Sequence, residues 1–205
     1  MSDLSKEIRK AYNQAAKAYR DKYDSIPTRK KDVELTFKLA EIESPSVLEI
    51  GCAYGREAKY ILSKTDKYIG VDISDEFIKM AKEEITKGTF VQYDIMEYEF
   101  PDGIDVVFAF ASLLHNSKED INLLLRRVHK ALNKKGLIFL SLKMKPEYSE
   151  AIETDNQTSR RFYYYNRETI NDISKDLFKE IYYSEQSRDV SWFSIILQKY
   201  KIPSV

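Results

Sequence analysis

The first 43 residues carry their apolar side chains at helical spacing. A helix predicted over 2–23 has one apolar stripe formed by Ile8, Tyr12, Ala15, Ala16, Tyr19 and Tyr23. Pro27 breaks this pattern, and a second apolar stripe predicts another helix that ends near Ile42. The sequence therefore predicts an N-terminal helical segment over 1–43.

From position 46 onward, short apolar runs alternate with amphipathic stretches. The runs predict strands at 47–50, 68–72, 89–93, 104–110 and 137–142, with helices at 56–64, 75–86 and 118–132 between them. Alternation of this kind predicts an α/β fold with a doubly wound parallel sheet. In the tail, the pattern predicts an extended segment at 161–165, a helix at 167–177 and strands at 178–184 and 192–199. The short connection between the last two strands predicts an antiparallel final strand.

Composition narrows the class of protein. Hydrophobic residues make up 43% of the chain, and 33 basic residues balance 33 acidic ones, so no overall charge attracts nucleic acid or an anionic membrane. We expect one domain over 1–205, with a helical cap at 1–43 and a core at 44–205. No apolar stretch is long enough to span a bilayer, which predicts a cytoplasmic protein without a membrane partner. The only cysteine, Cys52, is insufficient for a disulfide or a cysteine-rich metal site, and no metal is expected.

The residues that best indicate chemistry follow the first predicted strand. Gly51 and Gly55 permit a tight turn into a helix, and Asp72 ends the next strand, where a ribose would lie. A dinucleotide fingerprint would need further glycines at 53 and 56, and a P-loop would need Gly-Lys followed by Ser or Thr. Glu49 repels a pyrophosphate and suits a ligand with an ammonium group and no phosphate, such as S-adenosylmethionine. The alternative is the glycine-containing turn of any α/β protein.

Further motifs follow at consistent spacing along the chain. They are Val-Asp at 71–72, Tyr-Asp-Ile-Met at 93–96, Ile-Asp-Val-Val-Phe-Ala-Phe at 104–110, Ser-Leu-Leu-His at 112–115, and the helix that leads through 132–136 into 137–140. Together they resemble class I S-adenosylmethionine-dependent methyltransferases over about 47–199. The segments 111–115, 141–143 and 160–165 are similar to a bacterial subgroup of small methyltransferases, many without an assigned acceptor. Ala53 stands where that family often has glycine, which is expected to tighten the turn.

This resemblance implies a Rossmann-like, mostly parallel seven-stranded sheet with an antiparallel last strand and an N-terminal helical cap. It also implies S-adenosylmethionine as methyl donor and S-adenosylhomocysteine as product. The cofactor-binding residues that it implies are Glu49, Gly51, Cys52, Ala53, Gly55, Asp72, Ile73, Asp94, Ile95, Met96 and Phe110.

Residue chemistry and the resemblance together suggest a role for each part of this set. Asp72 accepts from both ribose hydroxyls, and Asp94 and the Ile95 amide bind the adenine ring, which Ile73 and Met96 cover. Glu49, directly or through water, and the Phe110 carbonyl hold the ammonium group. The alternatives are that Asp72 and Asp94 cap the helices after them, and that Cys52 is a small packed residue.

Four residues are candidates for the acceptor side. His115 follows the fourth strand and titrates near neutrality, so it is a candidate base or substrate contact; the alternative is a cap for the helix near Ser117. Tyr12 and Tyr19 are candidate pocket residues, although an aromatic stripe at helical spacing is also typical of packing. Arg161 is the chosen residue of 160–164 for holding an acidic or aromatic acceptor, with an exposed sheet edge as the alternative.

Three functions fit these features. The favoured one is transfer of a methyl group to an O or N atom of a small molecule. RNA, including tRNA, is the second candidate acceptor, because Arg-Arg-Phe-Tyr-Tyr-Tyr at 160–165 combines charge with stacking surfaces. A non-catalytic S-adenosylmethionine-binding protein is the third. Neither the individual acceptor nor the oligomeric state is predicted.

Overall fold

A computed structural model describes residues 1–154, 158–187 and 190–200 of the chain. The helices are α1 Asp3–Asp24, α2 Lys30–Ala40, α3 Ala58–Ile61, α4 Asp75–Glu84, α5 Lys118–Ala131 and α6 Arg167–Ser174, with a 3-10 turn at Leu113–His115. The strands are β1 Val47–Ile50, β2 Tyr68–Asp72, β3 Thr89–Gln92, β4 Ile104–Phe110, β5 Leu132–Lys143, β6 Ser149–Thr154, β7 Ser159–Tyr164, β8 Phe178–Gln186 and β9 Trp192–Lys199.

Seven of the strands form one twisted sheet in the order β3-β2-β1-β4-β5-β9-β8. The first five run parallel to one another, and β9 is antiparallel to both β5 and β8. This arrangement confirms the Rossmann-like fold and the antiparallel last strand that the sequence predicts. The strand order reverses between β1 and β4, which is where open parallel sheets bind their ligands.

Alternate residues of the central strands pack against different helices. Val107 and Ala109 of β4 lie in an apolar cluster with Leu124 of α5. Val106 and Phe108 lie in a second cluster, with α2, α3 and α4. Because successive strand residues point to opposite faces, these two clusters are the two sides of the sheet. Apolar residues on both sides explain why these strands read as continuous apolar runs.

The two N-terminal helices have different positions. α2 packs through Val33 into the second cluster, the one with Val106 and Phe108. α1 instead packs on the start of α4. Arg9 donates to both carboxylate oxygens of Asp75, at 2.7 and 2.6 Å, and the Asn13 amide donates to the same carboxylate. Ser2 caps α1 by accepting from the Ser5 amide. Of the predicted helical cap, α1 is the helix that crosses the strand ends.

The structure differs from the sequence prediction mainly between β5 and α6. β6 and β7 form a separate two-stranded antiparallel sheet, with Ser149 opposite Tyr164 and Thr154 opposite Ser159. The sequence predicts only an extended segment at 161–165. The sequence does not predict β6, because the residues on its less exposed side are Ser149, Ala151 and Glu153 rather than large apolar residues. Its one large apolar residue, Ile152, is exposed. β5 starts at Leu132 rather than at 137, and the sequence pattern misses this start because Asn133, Lys134 and Lys135 are polar and exposed.

The helices α3 and α4 are shorter than the sequence predicts. α3 covers only Ala58–Ile61 of the predicted 56–64, because the amides of Ser63 and Lys64 after it bond three rather than four residues back. α4 ends at Glu84, where Ile85 already has an extended backbone. Among the described residues, no helix is both long and apolar enough to cross a bilayer.

Candidate functional site

A cavity opens at the carboxyl ends of β1, β2 and β4, and its empty space of about 770 Å³ includes open solvent. The predicted cofactor residues that line it are Gly51, Ala53, Asp72, Ile73, Asp94, Ile95 and Phe110, and the predicted acceptor residues that line it are Tyr12, Tyr19 and His115. Both predicted sets therefore meet in one cavity, beneath α1.

The turn after β1 depends on Gly51. Its φ is +72°, and a Cβ there would lie 2.2 Å from Cβ of Ser112 in the segment after β4. The Gly51 amide donates to the Val71 carbonyl at 2.7 Å, which ties the turn to β2. Ala53 also has a left-handed backbone, with φ +47°, and its amide points at Asp72. The turn thus brings backbone, rather than side chains, to the cavity.

Asp72 is held in place by two backbone amides. One carboxylate oxygen accepts from the Ala53 amide and the other from the Ser74 amide, both at 2.9 Å. Burial raises the pKa of this carboxyl to about 6, although the amides that bond it act in the opposite direction. Ser74, not Asp72, caps α4, since its hydroxyl accepts from the Phe77 amide. The helix-cap alternative for Asp72 is therefore wrong.

The segment after β3 forms the next part of the wall. Asp94 is buried, and its side chain accepts from the Met96 amide at 3.0 Å. Asp94 and Ile95 line the cavity, whereas Met96 does not. No regular helix follows Asp94, which bonds only its own turn. Asp94 and Ile73, both predicted to contact adenine, line the same cavity.

Sequence reasoning missed the residue that supports this segment. Arg127 of α5 donates to the carbonyls of Ile95 and Met96, at 3.1 and 2.7 Å, and to the carbonyl of Tyr98. The sequence predicts a solvated helix face here, because Arg127 lies in a charged run. Three carbonyls that bond a single guanidinium hold the predicted adenine loop against α5.

Glu49 does not line the cavity. Its carboxyl is almost fully buried and accepts from the Tyr68 hydroxyl at 2.6 Å. Burial, and then the nearby Glu57, raises the pKa of this carboxyl well above its ordinary value. The structure places Glu49 behind the turn, held by Tyr68, and shows no direct contact between its carboxyl and the cavity.

Cys52 and Gly55 also lie outside the cavity lining. Cys52 packs in the apolar cluster beneath the sheet, and burial raises the pKa of its thiol, as expected for the packed alternative rather than for a reactive thiol. Gly55 has φ +82° and faces Ile85 at the end of α4. Both residues shape the turn from behind.

The segment after β4 supplies a polar group that the sequence analysis did not single out. Ser112 lines the cavity, and its hydroxyl oxygen is buried with no hydrogen-bond partner among the described residues. Buried hydroxyls normally have a partner. The Ser112 hydroxyl lies beside Gly51, 3.1 Å from where a Cβ of that residue would be.

His115 lies between α1 and β7. Its Nε2 is 2.9 Å from the Tyr12 hydroxyl, and its Nδ1 is 2.5 Å from the Arg161 carbonyl. A carbonyl only accepts, so Nδ1 carries the hydrogen and Nε2 accepts from Tyr12. The helix-cap alternative for His115 is wrong, because Ser117 and Asp120 cap α5 between themselves.

Burial shifts the pKa values of both His115 and Tyr12. It lowers the pKa of His115 to about 4, and the charges of Arg160 and Lys143 act in the same direction. Burial also raises the pKa of Tyr12 to about 12. At neutral pH the pair therefore consists of a neutral imidazole and a protonated phenol.

The remaining two acceptor candidates have different positions. Tyr19 lines the cavity and packs its ring against Tyr23 and Phe77, so it serves both as wall and as packing. The Arg161 side chain does not line the cavity but pairs with Glu150 at 2.6 Å, partly in solvent. Only the backbone carbonyl of Arg161 reaches the site, because alternate residues of β7 point to opposite sides.

Residues 47–136 match the model of a family described as a methyltransferase domain. A phosphoethanolamine N-methyltransferase of Plasmodium falciparum (isolate 3D7) is 30% identical over 115 residues, which are 54% of this chain and 41% of that protein. The chain spans less than half the length of the curated relatives it matches.

Solved structures share the fold over almost the whole chain. Magnesium protoporphyrin IX methyltransferase from Synechocystis PCC 6803 matches with a TM-score of 0.75 at 14% identity, over 97% of this chain and 100% of that one. A 1,6-didemethyltoxoflavin-N1-methyltransferase from Burkholderia thailandensis, with its namesake ligand and S-adenosylhomocysteine bound, has a TM-score of 0.75 at 15% identity, over 98% and 92%. The fold is that of class I methyltransferases. With the family match over 47–136, the chain is similar to the class I S-adenosylmethionine-dependent methyltransferases.

Proposed function

We propose that this protein transfers the methyl group of S-adenosylmethionine to an O or N atom of a small-molecule acceptor. The observation that carries this proposal is the shared cavity. Asp72 and Asp94 lie along one part of its wall, and the Tyr12–His115 pair lies along another. Methyl transfer needs donor and acceptor close together and aligned, which one shared cavity supports.

The chain's own groups fit the proposed cofactor. Asp72 presents a carboxylate already fixed by two amides, which suits the two hydroxyls of a ribose. Asp94 and Ile95 suit the polar edge of an adenine. Gly51 lines the cavity and has no side chain, so its backbone suits close approach by the methionyl part.

When bound, S-adenosylmethionine supplies a methyl carbon on a positively charged sulfur, which an acceptor lone pair attacks. The chain's task is then to orient the acceptor and remove its proton. Tyr12 accepts that proton on its oxygen while it passes its own proton to Nε2 of His115. His115 then carries hydrogens on both nitrogens, and the Arg161 carbonyl continues to accept from Nδ1.

Several observations support a small acceptor over RNA. In the segment 160–165, the rings of Phe162, Tyr163, Tyr164 and Tyr165 are buried, so they do not form an open stacking surface. α1 lies over the strand ends, and the chain has no net charge. The names of the similar enzymes, phosphoethanolamine and 1,6-didemethyltoxoflavin methyltransferases, also refer to small molecules. We further propose a cytoplasmic enzyme that works as a single domain over 1–205.

Labelled methyl transfer tests the proposal. The full chain is incubated with methyl-labelled S-adenosylmethionine and either a small-metabolite extract or total RNA. We expect label in small molecules, and loss of that label with Asp72→Ala. Label confined to RNA would overturn the choice of acceptor, and no transfer to either, with intact cofactor binding, would favour a non-catalytic binding protein.

A further inference from the structure

Two stripes of residues run along α1, one helical position apart. The first lines the cavity and consists of Ser5, Ile8, Tyr12 and Tyr19. The second, the anchor stripe, consists of Arg9, Asn13 and Arg20. The side chains of the anchor stripe all bond residues of α4. Because successive residues of a helix are about 100° apart around its axis, the contacts of the anchor stripe determine which way the cavity stripe faces.

The anchor stripe bonds α4 at both of its ends. At the start of α4, Arg9 and Asn13 both donate to Asp75. At its end, the Arg20 guanidinium pairs with Glu84. α1 and α4 therefore run side by side in the same direction, with two contact points about two and a half turns apart along α4. Two separated points fix both the rotation of α1 about its axis and its position along α4.

Asn13 makes the most directional of these contacts. Its amide nitrogen donates to the Asp75 carboxylate at 2.9 Å, and its amide oxygen accepts from the Ser74 hydroxyl at 2.7 Å. One planar side chain thus bonds two consecutive residues at the start of α4, once as donor and once as acceptor. The Arg9–Asp75 pair is less decisive, because side-chain exposures of 35% and 42% leave it screened by water.

Apolar packing beneath α1 is limited. The buried residues of α1 are two alanines, Ala11 and Ala16. Tyr12 and Tyr19 contact the Phe77 ring on one side and the cavity on the other, so their rings lack packing partners where the cavity lies. Polar contacts between elements are suited to selecting one register where apolar packing is loose. The anchor stripe has this role for α1.

We propose that Asn13 is a positioning residue, which holds α1 on α4 so that Tyr12 and Tyr19 face the acceptor side of the cavity. This inference rests on the proposed function, because Tyr12 takes the proton of the acceptor there. Asn13 does not line the cavity, and it bonds neither Asp72 nor Asp94 in the described part of the chain. Its loss should therefore slow methyl transfer and leave cofactor affinity intact.

Asn13→Asp tests this role with little change of shape. The new carboxylate still accepts from the Ser74 hydroxyl, but it has no donor and repels the Asp75 carboxylate. We expect labelled methyl transfer into a small-metabolite extract to fall about tenfold, because a small displacement of Tyr12 misaligns the reacting groups. The affinity for S-adenosylmethionine, measured by calorimetry, should stay within about twofold.

A matched control and a rescue separate positioning from a general loss of stability. Gln14→Glu makes the same amide-to-carboxylate change one position later, at an exposed residue, and should alter neither quantity. Combining Asn13→Asp with Asp75→Asn exchanges the amide and the carboxylate between the two helices. The exchange restores their hydrogen bond and leaves Arg9 beside a carboxylate four positions along its own helix. The combined variant should recover most of the lost rate.

Hydrogen exchange without any ligand gives a second readout. Amides of α1 should exchange faster in Asn13→Asp than in Gln14→Glu, while amides of β1 and β4 should be unchanged. Equal transfer rates in the wild type and Asn13→Asp, a combined variant as slow as Asn13→Asp, or a parallel loss of cofactor affinity would overturn the proposal. A wild type that methylates nothing would overturn the proposed function. The exchange rates of α1 would then decide the anchoring role alone, since equal rates in Asn13→Asp and Gln14→Glu would refute it.

Discussion

On the cofactor side of the cavity, each predicted carboxylate is fixed by nearby backbone. Asp72 bonds the amides of Ser74 and Ala53, which are 2 and 19 positions away, and Asp94 bonds the Met96 amide, 2 positions away. On the acceptor side, His115 is held by Tyr12, 103 positions away, and by Arg161, 46 positions away. One side is built by local turns at strand ends, and the other by packing α1 and the β6–β7 sheet against the 3-10 turn.

This difference has a functional consequence. Turns at strand ends form whenever the sheet forms, so the cofactor side should tolerate changes in α1 and β7. The acceptor side depends on two elements outside the main sheet, and it should change independently of cofactor binding. Variants that affect one side and leave the other intact test this separation.

The largest effect is expected at His115. His115→Asn keeps an amide that donates to the Arg161 carbonyl but removes the base, so the rate of labelled methyl transfer should fall by about 100-fold or more. The affinity for S-adenosylmethionine, measured by calorimetry, should stay within about twofold, since His115 bonds no predicted cofactor residue. A parallel loss of affinity would show that the two sides are not separate.

Gly51→Ala, on the cofactor side, should lower the affinity for S-adenosylmethionine. The added Cβ meets Ser112 at 2.2 Å with the backbone at φ +72°, so S-adenosylmethionine affinity should fall about 100-fold. Gly55→Ala is the matched control, also at positive φ: its Cβ clashes only with the flexible end of Ile85, at 2.4 Å, and it should lower the thermal midpoint with a smaller effect on affinity. Equal losses of affinity in the two variants would contradict the role of Gly51.

Cofactor affinity should also depend on pH through Asp72. Its pKa in the free protein is raised to about 6 by burial, and ribose hydroxyls need the ionised form as acceptor. Binding therefore lowers this pKa and releases a proton, so affinity is constant above about pH 7 and falls roughly tenfold between pH 7 and pH 5. In calorimetry, Asp72→Asn should abolish this dependence. An unchanged pH profile in the variant would assign it to another group.

The smallest effect is expected at the support of the adenine loop. Arg127→Met removes the donor to three carbonyls and should weaken S-adenosylmethionine binding about fivefold to tenfold. Arg126, one residue earlier on the same helix, bonds Asn122 and no part of this loop, so Arg126→Met should leave the affinity unchanged. Equal affinities in both variants would show that the loop holds its shape without Arg127.

The same contrast explains what the sequence predicted. Asp72 and Asp94 follow apolar runs, and parallel strands carry such residues to one edge, so their convergence was predictable. The β6–β7 sheet was missed, because β6 has no apolar alternation. The prediction names Arg161, but a sequence does not reveal which of two adjacent strand residues turns towards Tyr12, and it is the Arg160 guanidinium that lies 5.1 Å from the Tyr12 ring. Arg127 looked like a surface residue, because the carbonyls that it bonds lie about 30 positions earlier.

Calorimetry of S-adenosylmethionine binding to the wild type and to Asp72→Ala at pH 7.5 tests the central claim most directly. Asp72→Ala removes the carboxylate that two amides hold at the cavity. The two hydrogen bonds that the ribose hydroxyls are proposed to donate to this charged group are then lost, which should weaken binding about 100-fold. The account predicts clear binding by the wild type and this loss in the variant. No binding by the wild type, or the same affinity in both proteins, would contradict it.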